Sequence, residues 1–135
     1  MDCIFCNIVN GKIPYRKITE TEKSLAFLDA FPLTRGHTLV IPKRHYVKIQ
    51  EMSKEENADL FEVVRLLTEK MERLAPSSLV AIHNGKESGQ EIPHVHVHII
   101  PRKTEDSVGP VHSMFNQKLN LTNDEFNYIV EKLGK

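Results

Sequence analysis

The chain is 135 residues long and 40% hydrophobic, with 18 Lys plus Arg against 18 Asp plus Glu. That length suits a single domain over 1–135 with one core, and the even charge excludes the broad basic field of a nucleic-acid or membrane-surface binder while leaving room for a small anionic ligand. Its apolar runs are shorter than the roughly 18 residues of a spanning helix, and no basic stretch leading into an apolar signal core opens the chain, so a cytoplasmic protein with no nucleic-acid and no membrane partner is expected.

Ile4, Phe5 and Ile8 predict a short first helix, closed by Asn10-Gly11 before Pro14. Arg16 to Glu20, Ser24 to Leu28 and His37 to Pro42 read as strands, with Pro32 and Gly36 marking the loop before the third. Ser53 and Glu56 form a capping-box pattern, after which Leu60, Val63, Val64, Leu67, Met71 and Leu74 recur at helical spacing until Pro76. Leu79 to Ile82 and Val95 to Ile100 supply two more strands, separated by a polar, glycine-containing stretch. Residues 103–120 read as a long flexible loop; His112, Met114 and Phe115 either fold over a site or partner or are simply mobile surface. Thr122 and Glu125 cap a last helix carrying Phe126, Ile129, Val130 and Leu133. About five strands with segregated helices make an α+β domain with an antiparallel sheet.

The two cysteines form a Cys-x-x-Cys pair, Cys3 and Cys6. Without an export signal this spacing points to metal binding or redox chemistry more than to a structural disulfide. A thioredoxin-like motif wants a strand before it, which leaves redox as the weaker reading. Zinc needs two further ligands, for which His45 and His94 are candidates; reduced, inert thiols are the alternative.

His94-Val95-His96-Val97-His98-Ile99-Ile100 carries three imidazoles at a spacing of two. A strand places them on one face, with Val95, Val97 and Ile99 on the other. Each imidazole needs partners for two ring nitrogens, so three together call for a function. Two readings follow: the three converge on a catalytic zinc that activates water, or the central one is a nucleophile. Successive imidazoles on one strand face lie about 7 Å apart, which makes joint ligation awkward and favours the nucleophile. Neutral imidazole attacks phosphorus near pH 7 without a base, provided one nitrogen is fixed as a donor, for instance to a backbone carbonyl.

This stretch resembles the His-φ-His-φ-His-φ-φ signature, φ being apolar, of the histidine triad (HIT) superfamily of nucleotidyl hydrolases and transferases. Cys3-Ile4-Phe5-Cys6-Asn7-Ile8, Ile13-Pro14, Leu25-Ala26-Phe27-Leu28-Asp29, Gly36 to His45 and Gly89-Gln90-Glu91 resemble further landmarks in the same order, over roughly the first hundred residues. Within the superfamily the chain resembles the small prokaryotic members, near the Hint and Fhit-like branches. The resemblance implies a HIT-like fold with one long helix and a C-terminal helix, a symmetric homodimer, and covalent two-step cleavage at the α-phosphate of a purine nucleotide. Nucleoside phosphoramidates, adenylylated amines or dinucleoside polyphosphates are the implied substrates.

By resemblance, His96 is the nucleophile and His98 contacts phosphate and leaving group. Asp29 grips the ribose, Ile4, Phe5, Ile8 and Phe27 hold the base, and His37 is a fourth active-site histidine. The turn from His83 to Ile92 binds phosphate, through His83, Asn84, Gly89, Gln90, Glu91 and Ile92. Two residues depart from the family: His83 stands where Asn or Gln is common, and Glu91 where the Hint branch has serine. Cys3, Cys6, His45 and His94 match a structural zinc site, and no organic cofactor is implied. The alternatives are a nucleotide-binding or scaffold protein with slow turnover, and a zinc hydrolase that uses the triad as metal ligands.

Overall fold

The computed structural model describes residues 2–109, 111 and 118–134. Its elements run α1 (Ile4–Val9), β1 (Lys17–Glu20), β2 (Ser24–Leu28), β3 (Thr38–Pro42), α2 (Lys54–Met71), β4 (Ser77–Ala81), β5 (Val97–Arg102) and α3 (Asn123–Leu133). The five strands form one sheet in the order β1-β2-β3-β5-β4, and every neighbouring pair is antiparallel. The α+β class and the antiparallel sheet expected from the sequence are what the structure has.

Strand alternation divides the core in two. Ala26, Val40, Val97 and Ile99 pack with Leu60, Val63, Val64, Leu67 and Met71 of α2 on one face. Leu25, Phe27, Leu39 and Ile41 pack with Phe5 and Ile8 of α1 on the other. A strand buried on both faces needs an almost continuous apolar sequence, which explains why β2 and β3 read as unbroken runs. Helix α2 starts where the capping box predicts: Glu56 N–H donates to Ser53 Oγ at 3.0 Å and Ser53 N–H donates to Glu56 Oε1 at 3.1 Å.

The ends of elements differ from the periodicity. Helix α2 stops at Met71, because the last turn tightens into i to i+3 bonds such as Leu74 N–H to the Met71 carbonyl at 2.8 Å. Strand β4 begins at Ser77, directly after Pro76, since Ser77 and Ser78 pair with Arg102 and Pro101. Strand β5 starts two residues later than the apolar run suggests. Pro93 has no N–H to give, and Val95 N–H bonds the Tyr46 carbonyl at 2.7 Å instead of a ladder partner. Alternation nevertheless persists upstream of the ladder, with Val95, Val97 and Ile99 all in the α2-facing core.

Residues 103–109 form a turn tied by Asp106, which takes Arg102 Nε at 2.6 Å and the backbone N–H groups of Lys103 and Val108. His112, Met114 and Phe115 lie outside the described residues. Helix α3 has its capping box at Thr122 and Glu125 but buries none of its residues. Among the described residues no helix is long and apolar enough to cross a membrane.

Candidate functional site

The end of β2, the start of β3, the approach to β5 and the inner side of α1 meet on the face opposite α2. The histidines of 94–98 enter there, and the first separates from the other two. His94, fully buried, turns toward the N-terminus: its Nδ1 lies 3.4 Å from Cys3 Sγ and 3.6 Å from Cys6 Sγ, while His45 Nδ1 lies 3.4 Å from Cys6 Sγ. One donor atom from each of Cys3, Cys6, His45 and His94 falls within 4.8 Å of all the others. Zinc bonds of about 2.3 Å to sulfur and 2.0–2.1 Å to nitrogen give a tetrahedral S–N edge of roughly 3.6 Å, so this donor set suits zinc in spacing as well as in chemistry. The His94 ring is also oriented for it. Its Nε2–H donates to the Pro42 carbonyl at 2.8 Å, which leaves the Nδ1 lone pair directed at the thiols. Burial lowers the pKa of this imidazole to about 4 despite the opposing Pro42 carbonyl, which favours the neutral, ligating form.

His96 turns to the other side of α1. Its Nδ1 lies 2.7 Å from the His94 carbonyl oxygen, and because a carbonyl can only accept, Nδ1 carries the proton and Nε2 keeps its lone pair. Burial holds its pKa below the usual imidazole value, so the lone pair is free at neutral pH. The Phe5 ring packs edge-on against both His94, with centroids 5.7 Å apart, and His96, at 5.2 Å.

His98 is oriented by a chain of donors. Leu33 N–H donates to His37 Nδ1 at 3.0 Å, so the neutral His37 ring carries its proton on Nε2, and Nε2–H donates to His98 Nδ1 at 2.9 Å. His98 therefore keeps its own proton on Nε2, the nitrogen left for a ligand. Asp29 Oδ2 stands 3.5 Å from His37 Nε2, and Asp29 Oδ1 accepts Phe31 N–H at 2.9 Å. Burial, reinforced by His96, His37 and His83, lowers His98 to about 4. Burial likewise lowers His37 against the pull of Asp29.

A cavity of about 600 Å³ opens over these groups. Ile4, Phe5, Ile8 and Phe27 line its apolar part; Asp29, His37, His83, His96 and His98 line its polar part, with Gly89, Glu91 and Ile92 at the turn. In that turn Gly85 and Gly89 have positive φ, and a Cβ on Gly89 would sit 3.1 Å from His83 Nδ1. His83 Nδ1–H donates to the Ser88 carbonyl at 2.7 Å, and among the described residues its Nε2 has no protein partner. Two residues expected in the site are elsewhere. Asn84 accepts Ile49 N–H and donates to Gln50, and Gln90 donates to the Val47 carbonyl at 2.8 Å, so both brace the turn against residues 47–50. Conversely, Tyr15, Arg16, Phe31 and Leu33 line the cavity without having been expected. Tyr15, edge-on to Phe27 at 5.9 Å, follows the Ile13-Pro14 landmark, which was the available signal.

The HIT domain family profile matches residues 10–105. An adenosine 5'-monophosphoramidase of Schizosaccharomyces pombe is 46% identical over 107 residues, covering 78% of each chain. A member of the HIT family of proteins from Bacillus subtilis superposes with a TM-score of 0.86 at 33% identity, covering 99% of this chain and 96% of that one. A zinc-bound histidine triad family protein from Mycobacterium smegmatis superposes with a TM-score of 0.74 at 38% identity, covering 81% of each.

Proposed function

Because the chain belongs to the HIT family, we propose that it is a nucleotide hydrolase or transferase that cleaves at the α-phosphate through a covalent nucleotidyl group on His96. The observation that carries this reading is the His96 ring, with Nδ1–H held by the His94 carbonyl and a free Nε2 lone pair beside His98 in the cavity. The relative named as an adenosine 5'-monophosphoramidase supports adenosine phosphoramidates as substrates, with adenylylated amines and dinucleoside polyphosphates as chemical neighbours.

In the first step His96 Nε2 bonds to the α-phosphorus as the bond from phosphorus to the leaving nitrogen or oxygen breaks. The His98 Nε2–H faces the phosphate and donates to a non-bridging oxygen, and the leaving group takes its proton from solvent water beside that contact. Water then attacks the same phosphorus and releases a proton to solvent, the P–N bond to His96 breaks with the electron pair returning to Nε2, and the nucleoside monophosphate departs. Asp29 retains lone pairs for a ribose diol, and Ile4, Phe5, Ile8 and Phe27 take a purine between aliphatic and aromatic walls. In the turn, the Gly89 and Gln90 N–H groups are already bonded to the Lys86 and Gly85 carbonyls, so the amides of Glu91 and Ile92 are the ones assigned to the phosphate. Zinc held by Cys3, Cys6, His45 and His94 would supply structure, leaving the phosphate chemistry to the protein's side chains.

A hydrolase using the whole triad as metal ligands is disfavoured by geometry, since both ring nitrogens of His94 are engaged away from the cavity. A symmetric homodimer in a cytoplasmic setting belongs to the same proposal. The partly exposed Phe61 and Leu66 on α2 and Val80 on the edge strand β4 offer the apolar surface for it. The test is AMP release from an adenosine phosphoramidate and from a diadenosine polyphosphate by wild type and His96→Ala. Loss of release in the variant supports the reading, and equal release by both contradicts it.

A further inference from the structure

Helix α1 serves two sites at once. Cys3 and Cys6 point toward His45 and His94, whereas Ile4, Phe5 and Ile8 of the same six residues wall the cavity. A helix of this length has no stability of its own, since isolated helices below about 12–15 residues are marginal in water. Its N-cap is weak as well, a backbone N–H of Cys6 reaching Cys3 Sγ at 3.5 Å. What fixes α1 is therefore its tertiary contacts, and two of these reach residues shared between the sites. The Phe5 ring lies against both His94 and His96. His94 offers its imidazole to the cysteine cluster and its carbonyl to His96 Nδ1.

Resting on the reading of the cavity as a nucleotide site, we infer that the Cys3, Cys6, His45, His94 cluster and the nucleotide pocket are thermodynamically coupled through α1 and Phe5. A divalent metal such as zinc on the four donors docks α1, completes the apolar wall and holds the His94 carbonyl where it aims His96. Nucleotide against that wall presses α1 onto the donors in return. Coupling between two binding equilibria is reciprocal, so zinc tightens nucleotide binding and nucleotide tightens zinc binding by one common factor. Metal supply, which is remote from the phosphate chemistry, thereby regulates occupancy of the pocket.

The test uses zinc and AMP on the full chain, with no turnover involved. AMP affinity is measured calorimetrically on zinc-loaded and chelator-stripped protein, and zinc affinity by chelator competition with and without saturating AMP. The expected result is one factor of about ten or more in both titrations. Faster hydrogen exchange is expected in stripped protein at the Asn7 and Asn10 amides, which bond the Cys3 and Cys6 carbonyls. AMP binding of equal strength to loaded and stripped protein overturns the coupling while leaving the nucleotide reading intact. Failure of AMP to bind the loaded protein overturns both. Should stripping unfold the chain, zinc competition on loaded protein with and without AMP still reads the factor. Phe5→Leu, which keeps all four donors, should bring that factor toward one, and an unchanged factor overturns the route through Phe5.

Discussion

The two ends of the 94–98 segment use the same side chain in opposite ways. At His94 both nitrogens are satisfied inside the protein, one by the Pro42 carbonyl and one facing two thiols, and the ring is closed to any substrate. At His96 and His98 one nitrogen of each ring is held by the protein and the other is left over a cavity. Imidazole chemistry is identical at all three positions; the neighbours decide the tautomer and the direction of the free nitrogen, and with them the role. Closed coordination favours a structural metal, and half-satisfied imidazoles favour catalysis.

Mutation separates the two ends of the segment most sharply. His96→Ala should lower AMP release by about a thousand-fold or more while zinc content and melting temperature stay near wild type. His94→Ala or Cys3→Ser should instead remove zinc, measured by elemental analysis, and destabilise the fold by several kcal/mol in denaturant titration. A catalytic defect in His94→Ala without loss of metal would mean that the two ends are not distinct. Gly89→Ala is a milder probe of the open end alone. With φ of +101° and His83 Nδ1 3.1 Å from the added Cβ, it should cost about 1–2 kcal/mol and weaken AMP binding, leaving zinc affinity measured without AMP unchanged.

Acid provides the gentlest probe. His98 is lowered to about 4, chiefly by burial, from an ordinary value of about 6.5. Between those values the unfolded chain binds a proton that the folded chain excludes, so stability rises with pH across the interval. Wild type should lose stability as pH falls from about 6.5 toward 4, and His98→Gln should flatten that slope in urea titrations followed by circular dichroism. An identical slope in the variant would show that His98 is not the excluded base.

Much of this was legible where local chemistry and tertiary structure agree. The two capping boxes at Ser53 and Thr122 mark helix starts, and the alternation of Val95, Val97 and Ile99 against the histidines survives even where the ladder is absent. What escaped reading depends on backbone groups. The tautomer of His98 is set by the amide of Leu33 acting through His37, and an amide leaves no signature in a side-chain pattern. Asn84 and Gln90 belong by position to the turn between β4 and β5, yet residues 47–50, distant in sequence, capture their side chains. Arg16 entered the cavity for a similar reason, its carbonyl being paired with Leu28 N–H beside the pocket wall.

The division of labour is tested most directly by trapping the intermediate. Wild type is mixed with an adenosine phosphoramidate, quenched within milliseconds without acid, since P–N bonds are acid-labile, and digested for peptide mass mapping. An adenylyl group is expected on the peptide carrying His94 to His98, with fragmentation assigning it to His96, and none in His96→Ala. An adduct on His94 or His98, or full turnover in His96→Ala without one, would contradict it.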